Sequence, residues 1–182
     1  EYLLPTSYLK IPGDNVVAVR VYDDGGGGGI YEGRLGVYED KNALTPDVPL
    51  AGEWKFMTGD EPAWKEIACN ESNWSKISVP GHWENQGYHD YDGMAWYRLK
   101  FRVPSELVNE KIILLVGQID DYDETYLNGE LVGKTGKMRG QREGELGDAY
   151  QQVRAYVIPS GRLLANQDNV LAVRVYDGYR MG

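Results

Sequence analysis

Hydrophobic positions along this chain alternate with polar ones in short runs, and helical spacing is nearly absent. Val17, Val19 and Val21 alternate with Ala18, Arg20 and Tyr22. Leu99, Phe101 and Val103 alternate with Arg98, Lys100 and Arg102. A two-residue period predicts strands with one buried face. Residues 112–116, IILLV, form a continuous apolar run and predict a strand covered on both faces. Residues 124–133, ETYLNGELVG, place Asn128-Gly129 between two strand-like arms, and that pair accepts positive φ at both central positions of a tight hairpin turn. Residues 170–176 repeat the pattern of 16–22.

The punctuation between these runs is loop-like. DDGGGGG at 23–29 cannot be the interior of an element, and DKNALTPDVP at 40–49 carries two prolines and no periodicity. Residues 134–151 form a long polar loop with four glycines. Many short strands separated by such turns predict an all-β fold, a β-sandwich of jelly-roll type.

One pattern occurs twice. NVVAVRVYD at 15–23 and NVLAVRVYD at 169–177 differ only at Val17/Leu171. The match reaches back through Asp14/Asp168, Leu9/Leu163, Pro5/Pro159 and Tyr2/Tyr156, every pair 154 residues apart. A gapless match at fixed offset marks an internal repeat, here with the period of a whole domain. Residues 1–39 therefore read as the tail strands of a preceding repeat, 40–48 as a linker, and 49–182 as a sandwich lacking its last strand. Such a sandwich exposes an edge and a groove. Residues 28–38, with Tyr31, Leu35 and Val37 buried, are expected to fill that groove from within the molecule or by strand-swapped self-association.

Charge narrows the partners. The net charge is −9 with no lysine or arginine cluster, so a phosphate backbone is repelled and nucleic acid is a poor partner, while a neutral sugar is unaffected. Tyrosine and tryptophan outnumber phenylalanine, 14 and 5 against 2, which suits strands whose rings pack on one edge and meet water on the other. The single cysteine, Cys69, excludes an internal disulfide and is expected to be a small buried hydrophobe. No apolar run approaches the roughly 18 residues of a membrane span. No leader stands at Glu1, and a soluble mature piece without membrane contact is expected.

Two clusters carry candidate chemistry. Asp120, Asp121, Asp123 and Glu124 are the densest carboxylates, but strand parity puts Asp121 and Asp123 on one face and the other two on the opposite one. That weakens a paired-carboxylate catalytic reading and leaves structural hydrogen bonding or contact with sugar hydroxyls. Trp83, Tyr88, Tyr91 and Trp96 are interleaved with His82, His89, Asp92 and Arg98. Aromatic faces stack on sugar rings while polar neighbours take the hydroxyls. Trp83 and Trp96 read as core, whereas Tyr88, His89, Tyr91 and Asp92 lie in a polar loop. The candidate carbohydrate contacts are thus Tyr88, His89, Tyr91, Asp92, Asp121 and Asp123. No catalytic residue, metal site or cofactor is expected: the histidines lack zinc spacing, no EF-hand pattern is present, and the five glycines precede no Gly-Lys-Ser/Thr.

Three stretches resemble known families. ISVPGHWENQGYHDYDGMAWYRLKFRVP at 77–104 is similar to the sugar-binding domain of glycoside hydrolase family two enzymes. LLVGQIDDYDETYLNGELVGKTG at 114–136 resembles the accessory sandwich of bacterial sialate O-acetylesterases, and YVIPSGRLLANQDNVLAVRVYD at 156–177 resembles the closing segment of both. In those families GGGGIYEG, here at 26–33, follows directly, in agreement with the shifted repeat. The resemblance implies a galactose-binding-like jelly roll with no activity of its own, secreted or periplasmic, partnered by the catalytic domain of a parent glycan-degrading protein.

Overall fold

The computed structural model describes residues 9–10, 12–20, 46–136 and 149–178, and the chain divides into two units, Glu1–Thr45 and Pro46–Gly182. Among the described residues of the second unit eight strands build an all-β sandwich: β1 (Gly52–Thr58), β2 (Ser75–Val79), β3 (Gly93–Phe101), β4 (Ile112–Gln118), β5 (Tyr122–Leu127), β6 (Glu130–Thr135), β7 (Val153–Ile158) and β8 (Asn169–Asp177). Six form one antiparallel sheet in the order β2-β1-β3-β8-β5-β6, and β4 and β7 pair antiparallel as a second sheet. The chain crosses to the second sheet after β3, returns for β5 and β6, crosses again for β7, and comes back to place β8 at the centre.

The hairpin at Asn128-Gly129 forms as its sequence demands, with φ of 52° and 86° at the turn. Strand β8 explains its near-continuous apolar sequence by position. It is hydrogen-bonded to β3 on one side and β5 on the other, and both of its faces are covered. Its inner face sends Leu171, Val173 and Val175 into a core shared with Trp54, Phe56, Leu114 and Ile158. Its outer face is roofed by residues 60–74, where Trp64 and Trp74 pack around Trp96 and half-buried Cys69 leans on the same cluster. Burial pushes the Cys69 thiol above its ordinary pKa.

Three arginines bind layers together. Arg98 is buried under that roof, its Nε 2.8 Å from Glu71 and its Nη1 on the Trp64 carbonyl. Arg174 spans Asp60 and Glu124 at 2.7–2.8 Å. Arg154 of β7 reaches across the sandwich to Asp123 of β5 at 2.9 Å, with neither side chain exposed.

Two expectations are corrected. β4 is covered on one face only: Ile113 and Leu115 are 60% and 48% exposed, because a two-stranded sheet has nothing stacked on its outer side among the described residues. The alternation at 16–20 forms no strand, since described residues 12–20 have no strand partner and are exposed. The groove-filling segment 28–38 lies outside the described residues.

Candidate functional site

The inner face of the large sheet does not close fully against β4 and β7. A cavity of about 460 Å³ remains at one end of the sandwich. Its floor is the sheet: Trp54 from β1, Tyr97 from β3, and Val173, Val175 and Asp177 from β8. Its walls are Val116 and Gln118 of β4, the connection through Ile119 and Asp120, and residues 79–84 after β2. The bonds Val79–Pro80 and Asp120–Asp121 in these walls are both cis.

Aromatic packing fixes the apolar part. Trp83 lies parallel to Tyr97, with ring centroids 6.5 Å apart and 9° between planes, and edge-on to Tyr91 at 5.6 Å. The Trp83 side chain is buried, and its indole N–H has no hydrogen-bond acceptor among the described residues. A buried donor without an acceptor costs free energy of about 1–3 kcal/mol. Trp54 differs, because its N–H is 2.8 Å from the Leu50 carbonyl.

The polar part is acidic, with Glu84, Asp120 and Asp177 in the lining and His82 beside them. Burial, then the hydrogen bond and charge of Asp121, then the charge of Glu84 push the Asp120 carboxyl up to about 6, against a smaller lowering by His82. Burial, with Glu84 and Asp177 adding to it, also raises the Tyr97 phenol well above its usual range. Stacked rings beside hydroxyl acceptors suit a small polyol or sugar ring.

None of the six residues singled out from sequence lines this cavity. Asp123 is fully buried: Oδ1 accepts from Arg154 Nε at 2.9 Å, and Oδ2 accepts from Thr125 Oγ1 and Tyr156 Oη at 2.8 Å each. Asp121 is buried too; its Oδ2 accepts from the Gly178 N–H at 3.1 Å and its carbonyl accepts from Arg154 Nη2 at 2.7 Å. The Asp123 carboxylate belongs to the joint between the sheets, and the Asp121 carboxylate holds the chain just after β8. Tyr91 donates its hydroxyl to the Met94 carbonyl at 2.6 Å, and Tyr88 meets Phe56 edge-on at 4.6 Å, so both tyrosines brace the core. His89 and Asp92 are exposed. Trp83 and Trp96 are core residues as read.

The parity of β8 could have found one missed residue: Asp177 continues the face of Leu171, Val173 and Val175. Asp120 was visible only as part of an acidic run. Among the described residues no group of three or more histidine, cysteine or carboxylate side chains is arranged to hold a metal ion. No described helix is long and apolar enough to cross a membrane.

No protein-family model matches the chain. Two curated relatives do, both from Formosa agariphila: a beta-glucuronidase 24% identical over 95 residues, covering 45% of this chain and 10% of its own length, and a putative beta-glucuronidase 25% identical over 94 residues, covering 44% and 9%. Among solved structures, Bacteroides uniformis beta-glucuronidase 2, covalently bound to cyclophellitol-6-carboxylate aziridine, superposes with a TM-score of 0.57 and 26% identity over 72% of this chain and 14% of its own. Bifidobacterium dentium beta-glucuronidase, complexed with coumarin-3-O-glucuronide, superposes at 0.53 with 25% identity over 71% and 20%. A beta-glucuronidase from glycoside hydrolase family 2 shares the fold at a TM-score of 0.58 with 19% identity. Sequence and structure agree on a β-sandwich of the type found in that family. The chain spans only about a tenth of the curated relatives it matches.

Proposed function

We propose that this chain contributes a non-catalytic accessory sandwich, of galactose-binding-like jelly-roll type, to a larger secreted or periplasmic glycoside hydrolase, and that its cavity holds a neutral sugar ring. The matched share of the relatives supports the accessory role, since a catalytic barrel alone needs roughly 250 residues. The resemblance to the sandwich of sialate O-acetylesterases offers a second kind of parent. The observation that carries the sugar reading is the stacked Trp83 and Tyr97 pair in a cavity that also presents Glu84, Asp120 and Asp177. Three carboxylates repel a uronate, so the glucuronide handled by the neighbours would meet the parent's catalytic domain and not this cavity.

Titration of the full chain with neutral and uronic-acid oligosaccharides tests this. Neutral ligands are expected to bind and uronates to bind more weakly. Trp83→Phe replaces the indole with a smaller ring at the cavity wall, and should weaken binding about tenfold, the equivalent of roughly 1.4 kcal/mol. Affinity should rise as pH passes through about 6 and Asp120 becomes an acceptor-only carboxylate, and Asp120→Asn should flatten that rise. Stability runs the other way. The folded state holds this proton more tightly than the unfolded chain, so the contribution is present at low pH and is lost as pH rises through about 6. Absence of binding to any glycan would leave a structural interaction domain. Binding that survives both substitutions and is lost in His89→Ala would move the site to the 88–92 loop and give an autonomous carbohydrate-binding module.

A further inference from the structure

The first unit contains a piece of structure that the second unit also contains. In the second unit the loop before β8 is closed by one side chain. Asn169 Oδ1 accepts from the Leu164 N–H at 2.8 Å, and its Nδ2 donates to the Leu164 carbonyl at 2.9 Å and to the Gln167 carbonyl at 3.4 Å. In the first unit Asn15 Oδ1 accepts from the Lys10 N–H at 2.8 Å, and its Nδ2 donates to the Lys10 carbonyl at 3.0 Å and to the Gly13 carbonyl at 3.2 Å. Each atom has its counterpart 154 residues on, although Lys10/Leu164 and Gly13/Gln167 differ in kind. The shared letters therefore encode a shared local structure.

After the loop the copies part. Val170, Leu171 and Val173 are 1%, 1% and 2% exposed, whereas Val16, Val17 and Val19 are 91%, 69% and 64% exposed. A run whose copy in β8 is buried on both faces suits a slot between two strands and not an addition to one sheet edge. What fills such a slot is legible from β8. Asn128 of the β5–β6 hairpin donates to Asn169 Oδ1 at 2.9 Å and accepts from the Val170 N–H at 2.8 Å, and Asp60 and Glu124 pair with Arg174. Asn15 offers the same acceptor, Val16 the same donor and Arg20 the same charge, all exposed.

We propose that residues 9–20 are the closing loop and central strand of another sandwich of this type, which precedes this one in the same polypeptide. The strand sits between two strands equivalent to β3 and β5. Its Asn15 and Val16 meet an Asn-Gly hairpin equivalent to Asn128-Gly129, and its Arg20 pairs with carboxylates equivalent to Asp60 and Glu124. The inference does not depend on the carbohydrate reading.

The test begins with the transcript 5′ of the Glu1 codon. Strand patterns equivalent to β3 and β5 and an Asn-Gly hairpin are expected roughly 25–60 residues upstream, at the same offset. An unrelated sequence there overturns the proposal. If the pattern is present, the longer chain carrying Val19→Asp should lose one thermal unfolding transition and keep the other, while the same substitution in the 182-residue chain shifts nothing. Two unmoved transitions in the longer chain overturn it. Sedimentation of the 182-residue chain supplies the third arm. A monomer is expected, and a dimer that Val19→Asp dissociates would assign the strand to a second copy of this chain and overturn the tandem arrangement.

Discussion

Residues 15–20 and 169–174 carry almost the same side chains and meet opposite surroundings. Both fold the asparagine-locked turn that leads into them, because every bond of that turn lies within six residues. Only the second becomes a strand, because a strand's hydrogen bonds belong to its neighbours, and β8 has two of them. The comparison separates what a short sequence carries by itself from what it borrows. Turn chemistry is local and travels with the segment. Strand identity is a property of packing and pairing.

The largest effect should come from a charge at the matched valines. Val173→Asp puts an unpaired carboxylate between Tyr97 and Thr125 of the neighbouring strands in the core, and a loss of about 3–5 kcal/mol is expected, enough to abolish cooperative unfolding of the second unit. Val19→Asp should move its urea midpoint by no more than about 0.5 kcal/mol equivalent. Equal losses at both positions would mean that the exposed copy is a packed strand after all.

A smaller gap is expected at the asparagines. Asn169→Ala removes four partners from a buried site, leaving the Leu164 N–H and an Asn128 amide hydrogen without their acceptor, and should cost about 2–3 kcal/mol in urea titration. Asn15→Ala leaves backbone groups that water can reach, so the stability of the second unit should not change. Its effect should appear instead as faster amide exchange at Lys10. Protection at Lys10 that survives the substitution would show that its loop is held by something other than the side chain.

The same division accounts for what the sequence made legible. The Asn128-Gly129 hairpin and the apolar parity of β8 could be read directly, since the first is turn chemistry and the second is a run of seven residues whose alternate members share a face. The repeat predicted a strand at 16–22, and that failed over the described residues because the letters cannot say whether a partner is at hand. The run 112–116 was read as doubly covered for the same reason: apolar side chains at 113 and 115 reveal nothing of how many strands the second sheet has. At the cavity, the sequence marks Trp83 only as core and offers the loop tyrosines as the sugar contacts. Which aromatic side chains face a void depends on how residues 79–84, β4 and β8 converge. No window of sequence contains all three.

The smallest and sharpest prediction uses the single difference between the copies. Leu171→Val makes residues 169–177 identical to 15–23. Leu171 is buried between Leu99 and Leu127 in neighbouring strands, so the change removes one methylene from a closed site. Transfer and residual cavity together amount to about 1 kcal/mol, within the range seen for Ile→Val. For a unit of this size that lowers Tm by roughly 3–6 °C. The reciprocal Val17→Leu, at an exposed position, should leave Tm of the second unit where it is. If Leu171→Val instead unfolds the unit, the first copy's sequence cannot fill a β8 slot and the two copies differ by design at that residue. If it is tolerated, one six-residue sequence, at 15–20 and 169–174, is shown to be exposed chain or buried strand according to the strands beside it, and the distinction between the two copies lies in their neighbours.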